Sequence, residues 1–290
     1  MRIVGADIGG TSIKLGLFDE VGNAIQMMEY ETNSARGGRY VMEQLMEKIA
    51  PFKQIDAIGV CTAGQVNRHT GVLKNAVNIP ESNNLPIKAM LEERFLVPVI
   101  VENDVNAAAL GENHFGVGKN LEDFLFIAYG TGIGGAIIHD RTVLYGKGGF
   151  AGEFGHMVTH AGGLLCNCKR TGCYEMYGST RALIREAKKI APIYTNGKAI
   201  FNAYNEGDQH IQELVSNWVD DIVIGLVSLV HIFNPPSIIV GGGVMEQDML
   251  ATMIEERVNA QMIPAFRHVH ILQATLGNQA GMLGAISSHV

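Results

Sequence analysis

Three of the chain's four cysteines fall in one short stretch, Cys166-x-Cys168-x4-Cys173, and His156 stands ten residues before the first of them. Thiolate and imidazole are donors that zinc prefers, and three cysteines with one histidine close a tetrahedron around it. Gly162, Gly163 and Gly172 flank the set, which lets a short loop turn tightly enough for three sulfurs to converge. Free thiols and a disulfide are the competing readings. Nothing else in the chain marks an exported, disulfide-forming protein. A structural zinc is therefore expected at His156, Cys166, Cys168 and Cys173, with Cys61 outside it. Glu153 and Glu175 sit just beyond the ligands, where a fixed loop would hold their carboxylates in place.

A second chemistry is written in glycine. Asp7-Ile-Gly9-Gly10-Thr11 and Gly130-Thr131-Gly132-Ile-Gly134-Gly135 are both glycine-rich bends with a threonine, and Gly241-Gly242-Gly243 is a third bend. Backbone N–H groups in such bends cradle phosphate oxygens. None is a Walker loop, because the Gly-Lys-Ser/Thr ending is missing. The second string is similar to a dinucleotide fingerprint, but a strand-like run follows it rather than a helix. Glu102-Asn103-Asp104 ends a strand-like run just before an alanine-rich helix. A carboxylate there is either an ordinary helix cap or a base.

The elements that must position these residues follow from periodicity. Residues 2–9, 13–19, 55–60, 98–102, 124–128, 136–138, 237–240 and 269–273 read as strands. Residues 39–50, 87–95, 105–115, 180–191, 211–233, 249–262 and 280–289 read as helices, with Gly225 interrupting the long one. The stretch from Gln65 to Asn84 reads as irregular strand and loop. Alternating strands and helices make an α/β chain. The strand–bend–strand unit occurs twice, so two related lobes are expected, each presenting one phosphate loop. Their boundary is placed near residues 116–120.

Composition excludes some classes. A net charge of −7 leaves no basic stripe for nucleic acid. Hydrophobic residues make up 47% of the chain, enough for a full core, yet no uninterrupted apolar run has the length of a membrane span. A soluble, cytoplasmic protein is expected.

Taken together, these motifs resemble the ROK family (repressors, open reading frames and kinases) of the sugar kinase, Hsp70 and actin superfamily. The cysteine run is similar to the family's CxCGxxGCxE signature, and Glu153-Phe-Gly-His156 to its ExGH element. The resemblance implies a two-lobed, actin-like (ribonuclease-H-like) ATPase fold with a zinc loop. Residues 1–117 would form the small lobe with residues 278–290 packed back on it, and residues 118–277 the large lobe. It implies ATP-dependent phosphorylation of a hexose, with Mg2+ and a structural Zn2+. Asp104 would be the general base. Gly64, Asn78, Asn103, Glu153, His156 and Glu175 would contact the sugar, with His156 using one ring nitrogen for zinc and the other for the sugar. Asp7, Gly9, Gly10, Thr11, Thr131, Gly132, Gly134, Gly242 and Gly243 would hold the nucleotide and its metal. A homodimer is expected from relatives alone, and lobe closure on substrate from the need to exclude water.

Glucose phosphorylated on its 6-hydroxyl is the first substrate expected. N-acetylmannosamine or N-acetylglucosamine is the alternative, and a β-glucoside the third. A sugar-responsive regulator without its DNA-binding domain is the expected alternative of another class, since Asp7 lies six residues from the start and the net charge is acidic. A zinc hydrolase needs an open coordination position, which four protein ligands close. The chain departs from the family's pattern at Lys169, where a glycine is usual, at Thr62-Ala63, where a proline turn is common, and after Asn78, where a tryptophan is absent.

Overall fold

The computed structural model describes every residue except Val77, which falls inside the Gln65 to Asn84 stretch. Its contacts divide the chain into two units. One holds Met1–Leu121, Arg141–Ala151 and Asn278–Val290, and the other Glu122–Asp140 and Gly152–Gly277.

In the first unit, β1 (Ile3–Ile8), β2 (Ser12–Phe18) and β3 (Ala24–Glu31) form an antiparallel meander. Helix α1 (Gly38–Ile49) follows, then β4 (Ala57–Thr62), the small hairpin β5 (Gln65–Asn67) and β6 (Val72–Asn75), helix α2 (Ile87–Phe95), β7 (Val99–Asn103) and helix α3 (Asp104–Phe115). The sheet order is β3-β2-β1-β4-β7, with β4 parallel to both β1 and β7. Strand β4 is buried along its whole length, which is why it reads as a continuous apolar run rather than an alternation. Val41, Leu45 and Ile49 give α1 one apolar stripe, and they join Val4, Ile58, Val60 and Val101 in the core.

In the second unit, β8 (Phe124–Tyr129) and β9 (Ile133–His139) form a hairpin. The short edge strand β10 (Thr142–Val143) falls within Arg141–Ala151 of the first unit, and helices α4 (Glu175–Gly178), α5 (Thr180–Ile190), α6 (Gly197–Asn205) and α7 (Gln209–Phe233) then follow in the second. Strand β11 (Ser237–Gly241), helix α8 (Asp248–Gln261) and strand β12 (His270–Gln273) complete it, and helix α9 (Ala280–Ser287) returns to the first unit. The second sheet runs β10-β9-β8-β11-β12, with β11 parallel to β8 and β12. Both sheets thus repeat one plan: a three-strand run with a glycine bend after its first strand, then two parallel strands.

Two readings of the sequence change here. Helix α7 is continuous through Gly225 and is not interrupted there. By length and apolar content α7 also satisfies the requirement for crossing a membrane. In this structure Ile211, Val215, Trp218, Ile222, Leu226 and Val230 of α7 are buried in the core. Strand β3 and helix α6 are additions. Most of β3 is exposed on both faces and so lacks an alternation to read. Helix α6 starts in Asn196-Gly197, a turn signature, which here serves as a cap with the Asn196 side chain accepting from Ala199 N–H at 2.9 Å.

Candidate active site

Each unit presents one group of the residues singled out above. In the first, Gly9 N–H closes the bend onto the Ser12 carbonyl at 3.0 Å. The fully buried Thr32 pins it further, its hydroxyl donating to the Gly9 carbonyl at 2.7 Å. Asn78 lies against this bend, since a Cβ on Gly10 would stand 2.8 Å from the Cβ of Asn78. Asp7 stands in register with Cys61 on the parallel neighbour and with Lys14 on the antiparallel one. Burial raises the Asp7 carboxyl above the usual carboxylate range, partly offset by Lys14.

The cap of α3 is Asn103, whose Oδ1 accepts from Val105 N–H at 2.9 Å and Asn106 N–H at 3.1 Å. Its Nδ2 donates to the Gly64 carbonyl at 3.1 Å and to Asp104 Oδ1 at 2.8 Å. The amide of Asn103 is therefore fully used in holding the start of α3, Gly64 and Asp104 together. Asp104 Oδ1 also accepts from Val105 N–H at 3.0 Å, so only the first of its two oxygens is used at the start of α3. Burial and then the nearby Asp7 push its carboxyl up to about 6.

Glu102 carries a role that periodicity does not show. It is buried, and its Oε2 accepts from Tyr145 Oη at 2.7 Å and pairs with Arg68 Nε at 2.9 Å. Its Oε1 accepts from Asn103 N–H at 2.9 Å, so this buried ion pair steadies the backbone that carries Asp104.

In the second unit the bend after β8 is closed by Gly130 N–H donating to the Gly132 carbonyl at 3.0 Å. Thr131 and Gly132 sit in the bend, whereas Gly134 lies in β9 and pairs with Ala128. A cavity of roughly 490 Å³ opens beside it, lined by Gly130, Thr131, Gly243, Lys198, Asn202 and Gln247 among others. Lys198 and Asn202 belong to α6, so sequence periodicity missed them along with the helix. Gly242 packs under the carbonyl of Tyr129, with a φ of 105° that suits glycine.

The ligand atoms of His156, Cys166, Cys168 and Cys173 all lie within 4.8 Å of one another. Cys168 Sγ and Cys173 Sγ are 3.5 Å apart, and Cys166 Sγ is 3.8 Å from His156 Nδ1. A tetrahedron with zinc–sulfur bonds of about 2.3 Å and zinc–nitrogen bonds of about 2.0 Å has edges of about 3.5–3.8 Å. The four residues fit zinc. Nδ1 faces the sulfurs, which leaves Nε2 to carry the proton, and Glu153 Oε2 lies 3.9 Å from that nitrogen. Glu175, largely buried, has Oε1 at 3.2 Å from Cys166 Sγ, and its Oε2 faces Gly132.

Lys169 takes the left-handed conformation, with φ of 71°, at the position where the family pattern has glycine. A side chain there costs about 1–2 kcal/mol, while glycine costs about 0.5–1 kcal/mol through the freedom of the unfolded chain. Lys169→Gly is therefore expected to raise the thermal midpoint by about 1–4 °C and to slow zinc loss to a chelator. A lower midpoint would show that the lysine makes a contact worth more than its backbone strain.

The ROK family model matches residues 3–288. The chain is 35% identical over 314 residues to a glucokinase of Streptomyces coelicolor, covering 97% of this chain and 95% of that protein. It is 32% identical to a β-glucoside kinase of Klebsiella pneumoniae, covering 99% and 96%. A ROK family glucokinase from Streptomyces griseus, solved in complex with glucose and AMPPNP, superposes with a TM-score of 0.86 at 33% identity, covering 98% of each chain. The glycine bends, the Asn103-capped Asp104 and the cluster of one histidine and three cysteines thus occur on a fold shared end to end with sugar kinases, and the chain belongs to the ROK family as one of its sugar kinases.

Proposed function

We propose that the chain transfers the γ-phosphoryl group of ATP to the 6-hydroxyl of glucose or a glucose-like hexose. One observation carries the assignment of the base: Asn103 has taken the capping role, leaving Asp104 a free oxygen on a carboxyl tuned to about 6. In the reaction, Asp104 accepts the proton of the sugar hydroxyl as its oxygen bonds to phosphorus. The bond from phosphorus to the β–γ bridging oxygen breaks, and ADP leaves. Gly10 and Thr11 in the first bend, and Thr131 and Gly132 in the second, offer their backbone N–H groups to phosphate oxygens, since those of Gly9 and Gly130 close the bends. Asp7 is the residue to hold Mg2+, which when bound neutralises phosphate charge. Glu153, His156 and Glu175 hold the ring hydroxyls, and His156, Cys166, Cys168 and Cys173 would hold a zinc that, when bound, would fix the backbone beside both carboxylates.

A base must be unprotonated to act. With its carboxyl at about 6, Asp104 loses function as pH falls through that value, so kcat/KM is expected to drop about tenfold per pH unit below it and to be flat above. A profile with no limb between pH 5 and about 7 would remove Asp104 from that role.

The identity of the sugar is tested by kcat/KM for glucose, mannose, N-acetylmannosamine and a β-glucoside, with MgATP. Fixed acceptors discriminate strongly against a sugar lacking a hydroxyl they bind. Glucose is expected to lead. The second reading, a β-glucoside kinase, is favoured by the Klebsiella relative and by the loop after Asn78, which has no tryptophan. A roughly hundredfold preference for an N-acetyl sugar would overturn both readings.

A further inference from the structure

Tyr129 and Tyr174 are fully buried in the second unit, and their hydroxyl oxygens meet at 2.8 Å, with the rings edge to face. Tyr174 donates its own proton to the Ile222 carbonyl on α7, also at 2.8 Å, so the proton between the two hydroxyls comes from Tyr129. Phenylalanine at both positions would fill the same space without any polar group to satisfy. The hydroxyls therefore invite a reason beyond packing.

The neighbours of each tyrosine supply one. Tyr129 ends β8 and leads directly into the Gly130–Gly132 bend. Its carbonyl accepts from Thr180 Oγ1 at 3.0 Å, and Thr180 lines the same cavity as Thr131 and Gly243. Tyr174 stands between Cys173 and Glu175, and its N–H donates at 2.7 Å to the carbonyl of Met157, the residue after His156. Helix α7 makes room for this ring with Gly225, where a Cβ would overlap it. Glycine inside a helix costs about 1 kcal/mol relative to alanine, so the space is kept at a cost. A second contact runs alongside the first. A Cβ on Gly132 would stand 2.7 Å from Glu175 Oε2, which puts the bend directly against that carboxylate.

We propose that the Tyr129–Tyr174 hydroxyl bridge is a positioning device joining the nucleotide-side bend to Glu175, so that sugar binds more tightly once nucleotide is in place. The inference rests on the kinase reading above. One end of the bridge is ordered by nucleotide and the other by the sugar. A ligand that fixes one end lowers the ordering cost left for the other. The coupling is reciprocal, so nucleotide must also bind more tightly in the presence of sugar.

The test is calorimetry on the full chain with zinc bound, using the best hexose from the panel with and without a saturating non-hydrolysable ATP analogue. The ratio of the two sugar dissociation constants is expected to be about five to ten for the wild type, within the usual range for coupled sites. Tyr129→Phe keeps the bond from Tyr174 to Ile222 and the contact of Gly132 with Glu175, and should lower the ratio at least about twofold below the wild-type value. Tyr174→Phe and the double variant should give that same lowered ratio, because all three lose one and the same bond. A merely structural role would lower the thermal midpoint and leave the ratio at its wild-type value. That result, or a wild-type ratio of one, overturns the proposal. If Tyr174→Phe fails to fold, Tyr129→Phe decides alone. Absence of hexose-dependent ADP formation by the wild type would sink the kinase reading, whereas an active kinase with unchanged coupling in Tyr129→Phe sinks only the bridge.

Discussion

Asp104→Asn is expected to lower kcat by about three orders of magnitude while leaving sugar and nucleotide affinity within about threefold, as loss of a positioned base does. The variant should also fold at least as well as the wild type. The cap of α3 is Asn103, and an asparagine at 104 can still accept the hydrogen bond from Asn103 Nδ2. The sign of the electrostatic effect supports this. The folded-state value of about 6 lies above the usual carboxylate value, so the folded chain binds more protons than the unfolded chain between them. Asp104 therefore opposes folding as pH rises through that window, and its charged form is a cost at pH 7. Removing the charge should raise the thermal midpoint at neutral pH and leave it nearly unchanged near pH 4. A variant with normal turnover would mean that another group takes the proton. A variant that is inactive because it unfolds would mean that the carboxylate is structural after all.

The second large effect concerns the metal. Cys173→Ser should reduce zinc from about one per chain to a small fraction and raise the sugar KM by about 10–100-fold, with a much smaller change in the ATP KM. The asymmetry follows from position. His156 belongs to the cluster that fits zinc, Glu153 sits three residues before it in the same short turn, and Glu175 touches Cys166 and follows Cys173 by two. Loss of the metal frees both carboxylates at once. The Gly130–Gly132 bend is held instead by the β8–β9 ladder, which needs no metal. Elemental analysis of protein purified without chelator, together with both KM values, checks this. Equal loss of affinity for sugar and ATP would mean that the metal supports the whole unit rather than one loop.

Much of this was legible in the sequence because it was written locally. The cysteine spacing, the histidine before it and the three glycine bends are patterns of neighbours, and the structure brings the four metal-binding atoms together as the spacing implies. Strand β4 and helix α1 were equally plain, since each carries one uniform periodicity. What sequence could not show depends on partners far along the chain. Glu102 looks like the polar end of a strand until Arg68 and Tyr145 are seen on its carboxylate. Gly225 looks like a helix defect until the ring of Tyr174 is found filling the place of its missing side chain. Asp104 read as either an ordinary cap or a base, and the sequence could not show that the side chain of Asn103 caps α3. Lys169 marks the opposite case. The local pattern flagged it as unusual, and its left-handed backbone gives the reason.

The most direct test of the central claim is product analysis of the wild-type chain incubated with MgATP and glucose, following ADP and the position of the new phosphate by phosphorus and proton NMR. ADP is expected to form in step with hexose consumed, with one phosphate on the 6-hydroxyl oxygen, and almost none of either with Asp104→Asn. ADP released at the same rate with and without any hexose would contradict it.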